Sequence, residues 1–163
     1  MNREILFRGK TLYDHYDHYA SPEPDTKEGT WVYGNLITEY PYHKGLTIVE
    51  NGVYHEVDPE TVGQYTGLKD KNGVKIFVGD IICYNTFVDC RGIVSFGRYE
   101  QDGSGDEYPP SKCIGFFIER KWVDFDGDFA VYEKTISLLE VQGLEVIGII
   151  HDDPELLEVL GDD

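Results

Sequence analysis

Apolar and polar residues alternate over short distances along most of this chain, and the runs are broken by glycine, asparagine, aspartate and proline. In "REILFRGK", residues 3–10, Ile5 and Phe7 share one face with Leu6 between them, the period of two that marks a strand. "TWVYGNLITEY", residues 30–40, is β-branched and aromatic, and Gly34 inside it predicts a strand with a bulge. "KGLTIVENGVYHEV" places Asn51-Gly52 between two strand runs, and Asn-Gly accepts the left-handed backbone of a two-residue hairpin. "GQYTGLKDKNGVKIFVGDIICY" repeats the device at Asn72-Gly73, then marks a bend or bulge at Gly79-Asp80. "RGIVSFGRYE" reads as a further strand, Asp126-Gly127 sits between two aromatic runs as a third hairpin signal, and "LEVIGIIHDD" is the last strand.

Two stretches break the alternation. Residues 11–29 and 101–112 are rich in Asp, Gly, Ser and Pro and predict long exposed loops. A short helix is expected at the end: Asp153 as cap, Pro154 in the first turn, "ELLEVL" as its apolar face and Gly161 as its stop. "EKTISLLEVQG", residues 133–143, fits either a helical turn or a strand. Eight to ten short strands with three hairpin turns make the fold mainly β. The expected organisation is an N-terminal β-subdomain, residues 1–60, and a barrel-type unit with the C-terminal helix, residues 61–163. The two can also fold as one cooperative domain. Curling into a barrel would remove exposed strand edges.

Composition changes the picture mainly through charge. The 163 residues hold 14 Lys plus Arg against 31 Asp plus Glu, a net charge of −17. Duplex-binding domains present cations to phosphates, so the mean field here opposes nucleic acid and anionic membranes. Lys69, Lys71 and Lys75, around one turn, come closest to a basic patch, but a solvated face explains them better. Twelve Tyr, eight Phe and two Trp supply ample surface for a folded core. Three cysteines, with no CxxC pair, suit reduced and mostly buried residues in a cytoplasmic protein. The N-terminal residues lack a signal-peptide core, and no run approaches the roughly 20 apolar residues of a membrane span.

Candidate chemistry is sparse. "DHYDHY", residues 14–19, sets His15 and His18 three apart beside Asp14 and Asp17, a zinc- or nickel-competent ligand set that converges only on a helix. A loop here would separate them. "DFDGD", residues 124–128, lacks the spacing of a calcium loop, because Gly127 falls at position 4 and Thr135 stands where Glu is needed. "GRYEQDGSGDEY" lacks the Lys-Ser/Thr end of a phosphate loop. Ser95, Ser104, Ser111 and Ser137 have no nucleophile-elbow setting. A Cys–His pair from Cys83, Cys90 or Cys113 stays open as a spatial arrangement. Tyr33, Tyr65, Phe77, Tyr84, Phe96, Phe116, Phe117 and Trp122 fit sheet packing better than base stacking, which pairs its platforms with a positive groove.

The segments "REILFRGK", "WVYGNLI", "PETVGQYTGLKDKNGVKIFVGDII" and "LEVIGIIHDDPELL", in this order, resemble the YopX family of bacteriophage and prophage proteins. The resemblance implies a β-rich fold whose C-terminal part is similar to an SH3-like barrel, and it carries no catalytic, cofactor or metal residue onto this chain. The expected function is therefore that of a non-enzymatic phage-derived protein of the bacterial cytoplasm, working through a protein partner of host or phage. Open sheet edges also permit a homo-oligomer. A second class is nucleic-acid-linked: weak binding through the Lys69–Lys75 turn, or an acidic surface that imitates DNA. A metal-dependent enzyme using His15 and His18 is the third.

Overall fold

The structure is a computed structural model, and it describes residues 4–17, 22–85, 90–101, 109–121, 134–138 and 143–157. The chain divides into two compact units, Met1–Gly67 and Leu68–Asp163. The division falls inside a strand, later in the chain than the 60/61 boundary expected from sequence.

The first unit holds β1 (Phe7–Lys10), β2 (Trp31–Ile37), β3 (Thr47–Glu50), β4 (Val53–Glu56) and most of β5 (Gly63–Lys69). They form an antiparallel sheet in the order β4-β3-β2-β1-β5. Alternation decides which side chains go inside. Val32, Ile48 and Val57 are buried, and Phe7, Leu36, Leu46 and Val62 pack against them. Each fully buried aliphatic side chain contributes roughly 1.5–3 kcal/mol over its exposed state. Ile5 is the exception to the sequence reading, since it is exposed while Phe7 turns to the core. Gly34 makes no bulge. Instead the sheet is tight there, and a Cβ at Gly34 would overlap the Val49 carbonyl.

The second unit is built on β6 (Lys75–Phe77), β7 (Asp80–Asn85), β8 (Cys90–Gln101), β9 (Ser111–Lys121), β10 (Lys134–Ser137) and β11 (Glu145–Ile149). Five of these strands form an antiparallel sheet in the order β10-β9-β8-β7-β11. β6 follows the end of β5 across the turn at 70–73, closed by Asp70 N–H on the Val74 carbonyl at 2.8 Å. Ile76, Ile82, Val94, Ile118, Leu138 and Leu144 form the core, joined by Leu68, Phe116 and Val146. The Gly79-Asp80 step separates β6 from β7. Gly79 has φ 89°, and the fully buried Asp80 accepts the Phe77 amide at 2.7 Å.

Two expectations are not met among the described residues. The described strands make open sheets and no closed barrel, with β10 and β11 as the edges of the second sheet. The expected C-terminal helix is, within the described residues, a single 3-10 turn over Pro154–Leu157. Residues 133–143 resolve in part: Lys134–Ser137 is a strand. The Asp126-Gly127 hairpin signal lies outside the described residues. No described helix is long and apolar enough to cross a membrane.

Candidate functional site

The described parts of the 11–29 segment are held by backbone hydrogen bonds. Its two ends are bonded by Thr11 N–H to the Thr30 carbonyl and Gly29 N–H to the Thr11 carbonyl. Farther along, an isolated antiparallel bridge joins His15 to Thr26. This brings His15 Nδ1 to 2.8 Å from Asp25 Oδ1, on the surface. The hydrogen bond from His15 is the main cause of an Asp25 carboxyl pKa below the ordinary value. The second neighbour of His15 is His55, from β4, whose ring stands edge-on at 5.5 Å between centroids. Burial lowers the His55 pKa below its usual 6.5, and a charge on His15 lowers it further.

The structure describes only one member of the His15–His18 pair singled out in the sequence. His18 lies outside the described residues. Asp14 is committed to the loop, where its carboxylate accepts the Glu28 amide at 2.7 Å. Among the described residues no group of three or more His, Cys, Asp or Glu side chains is placed to hold a metal ion. The pair that forms, His15 with Asp25, was missed in the sequence. Asp25 lies ten residues on, and nothing in "SPEPDTKEG" sets it apart from Glu23 or Glu28.

The lysine turn is likewise more structural than basic. Lys71 forms an ion pair with Glu145, which raises the lysine pKa, and its amide donates to the Leu144 carbonyl at 2.9 Å. Asp70 is buried beneath. One carboxylate oxygen accepts the amides of Asn72 at 2.8 Å and Val74 at 2.9 Å, and the other accepts Val146 N–H at 3.1 Å. Burial pushes the Asp70 pKa up, but the three amides outweigh it and the carboxyl ends below its ordinary 3.8. The turn is thus tied to β11, with Lys71 neutralised by Glu145.

The remaining candidates fall into the sheets. Cys83 and Cys113 are half-buried and lie on β7 and β9 of the second unit; of the described histidines, His15, His43 and His55 belong to the first unit and His151 to the second. Ser137 is buried on β10, and Ser95 and Ser111 lie on β8 and β9. Tyr65, Phe77 and Phe117 are core residues, whereas Tyr33 and Phe96 are exposed. Ser104, Trp122, residues 124–128 and the Cys90 and Tyr84 side chains lie outside what is described.

The most distinctive surface is the β8–β9 hairpin. The two strands pair without interruption from Arg91↔Lys121 to Gln101↔Ser111. Their flanking strands stop sooner: β7 pairs only as far as Ile93, and β10 only back to Phe117. Beyond those points the hairpin continues, among the described residues, as a two-stranded arm. On one face Val94 and Ile118 are buried, but the same face continues outward through Phe96, 56% exposed, and Ile114, 72% exposed. The Phe96 and Phe116 rings meet at 5.0 Å. Tyr99 stacks on Phe117 at 5.0 Å across the opposite face. A shallow groove of about 510 Å³ runs past Arg98, Tyr99, Glu100, Lys112, Cys113 and Ile114.

A family model described as YopX protein matches residues 25–158, from the loop before β2 through the Pro154–Leu157 turn. The chain belongs to the YopX protein family. The match contains the Gly63–Ile82 block, the whole β8–β9 arm and Asp25, while "REILFRGK" and His15 precede it. No curated protein matches the chain. In this YopX-family chain, then, the arm lies wholly within the family's shared segment, and the His15–Asp25 contact lies across its edge.

Proposed function

We propose that this YopX-family chain is a phage- or prophage-encoded, non-enzymatic protein that works in the bacterial cytoplasm by binding protein through its β8–β9 arm. The observation that carries the reading is the pair of large apolar side chains, Phe96 and Ile114, held in solvent on a strand pair that outruns its neighbours. Exposed apolar surface on an ordered element costs solubility unless a partner covers it. The net charge of −17 gives the rest of the surface the opposite character, strongly solvated and repellent to anions.

The test is capture from host lysate by the immobilised chain, compared with the Phe96→Ser, Ile114→Ser double variant. Both side chains are exposed, so the variant should keep its fold by circular dichroism. Loss of the captured proteins in the variant supports the reading. Capture that is unchanged in the variant but vanishes as salt rises would replace it with an acidic surface that occupies a basic, nucleic-acid-handling protein.

A further inference from the structure

We propose that Asn51-Gly52, at the tip of the β3–β4 hairpin, is a site of backbone-assisted deamidation, and that the fold withholds the same reaction from Asn72-Gly73.

The two sites start equal in sequence. Each stands in an Asn-Gly-Val triplet, and glycine leaves the neighbouring nitrogen unhindered and its backbone free to turn. The reaction is intramolecular, so the two groups need only be held close. The glycine backbone nitrogen gives its proton to hydroxide and attacks Cγ of the asparagine. A C–N bond closes a five-membered succinimide ring, and the side-chain nitrogen takes a proton from water and leaves as ammonia. Water then opens the ring at either carbonyl. One opening gives aspartate. The other gives isoaspartate, in which the main chain runs through the former side chain. One water is consumed and one ammonia released at each site, with no oxidation or reduction.

Conformation separates the two. The ring fixes the asparagine ψ at about −120°, the value at the first central position of a type II′ turn. Asn51 already holds the left-handed φ that this position needs, 51°, and Glu50 pairs with Val53 across the tip. Rotating the peptide plane between Asn51 and Gly52 therefore exchanges one hairpin turn for another and leaves the strands paired. The tip has room for that rotation. Both residues are exposed, and a Cβ on Gly52 would meet nothing within 4 Å. Among the described residues Gly52 N–H donates no hydrogen bond, so its nitrogen is open for attack.

Asn72 differs on each count. It lacks the left-handed φ, so ring closure there cannot follow from exchanging hairpin turns. The nitrogen that must attack, that of Gly73, donates its proton to the Asp70 carbonyl at 3.0 Å. The Asn72 amide is held by Asp70 Oδ1 at 2.8 Å, and its side chain reaches Glu145 Oε1 at 3.5 Å. Rotating the peptide between Asn72 and Gly73 breaks the Gly73 bond and works against the same carboxylate that holds Val146 N–H. The products also bear on the first sheet. Aspartate adds a carboxylate to a chain already at −17. Isoaspartate lengthens a two-residue turn by one main-chain atom, and loop length sets hairpin register.

The test needs only the full wild-type chain, incubated in neutral buffer and, in parallel, unfolded in concentrated urea. Peptide mass spectrometry follows the conversion of amide to acid at each asparagine, and an isoaspartate-specific carboxyl methyltransferase labels the isoaspartate product. In urea the two sites should convert at similar rates, because their triplets are the same. In the folded chain Asn51 should convert about tenfold faster than Asn72 or more, since a hydrogen bond that must break before attack is worth about that factor. The Asn51 rate should rise with pH, as loss of the glycine proton requires. Equal rates at the two sites in the folded chain, or a faster one at Asn72, overturn the proposal. So does an Asn51 that reacts in urea and stays intact in the folded chain, because the tip would then be unable to make the exchange of turns.

Discussion

Two hairpins of this chain carry the same dipeptide at their tips and are held in different ways. Between β3 and β4, Asn51 and Gly52 have φ of 51° and 84°, a turn with both central residues left-handed. Its geometry matches the twist of the strands and needs nothing from elsewhere. Between β5 and β6, only Gly73 of the Asn72-Gly73 pair is left-handed, at 82°. The backbone instead closes with Gly73 N–H on the Asp70 carbonyl at 3.0 Å, and the Asp70 carboxylate collects three amides. One of those amides, Val146, is 76 residues away on β11. The first turn is specified by its own sequence. The second is a clamp whose other half arrives much later in the chain. What fixes the first hairpin to its sheet is likewise local in kind: the absence of a side chain at Gly34, where β2 comes against the Val49 carbonyl.

The difference sets an order of consequences. Asp70→Ala should be the most damaging change, about 3 kcal/mol, because three partly buried amides, that of Val146 among them, lose a charged acceptor. Denaturant unfolding measures it; a loss below about 0.5 kcal/mol, the level of an ordinary surface substitution, would erase the distinction between the turns. Gly34→Ala comes next at about 2 kcal/mol, the usual range for forcing atoms into a packed site, since the strands must separate to admit a methyl group. Amide exchange should place the Gly34→Ala damage in β2–β3 and the Asp70→Ala damage in β5, β6 and β11.

The same contrast explains what was legible in the chain. Alternation and Asn-Gly pairs located the strands on both sides of Asn51 and Asn72, because such signals are local and act within a few residues. The role of Asp70 was invisible: in "KDKNG" it looks like one more polar turn residue, and its third bond depends on where β11 lands. The contact His15 makes was hidden for the same reason. Its neighbours in sequence, Asp14 and Asp17, suggested a ligand set, but the antiparallel bridge to Thr26 selected Asp25. The arm was half legible. "RGIVSFGRYE" read as a strand, but the exposure of Phe96 follows from where β7 and β10 stop, and no residue within β8 records that.

Acid separates the two hairpins without any mutation. His55, on β4, has a folded pKa below 6.5 because burial disfavours its charged form. Above pH 6.5 both folded and unfolded chains carry it neutral, and the first unit keeps its full stability. As pH falls below 6.5 the unfolded chain takes the proton first, and the first unit weakens until the folded pKa is passed. Asp70 has a folded pKa below 3.8, so its contribution is complete above that value and is lost as pH falls through the folded pKa. Amide protection at Ile48 should therefore decline in mildly acidic buffer while protection at Ile82 holds to below pH 3.8. Both declining together would mean that the two units respond as one.

The smallest effect is the sharpest control. Gly52→Ala and Gly73→Ala each force an alanine to a φ above 80°, and at both sites the new methyl group enters open space. Backbone strain is then the whole cost, about 1 kcal/mol at each, and the two should be equal. Equality would show that the turns differ only in their anchoring. The anchoring can then be tested through the glycine: with Asp70→Ala already in place, the second turn is free to relax. Gly73→Ala should then cost less than it does alone, whereas Gly52→Ala should cost the same in either background. A double-mutant cycle reads that coupling directly. No coupling at Gly73 would mean that the carboxylate holds β11 without shaping the turn it sits in.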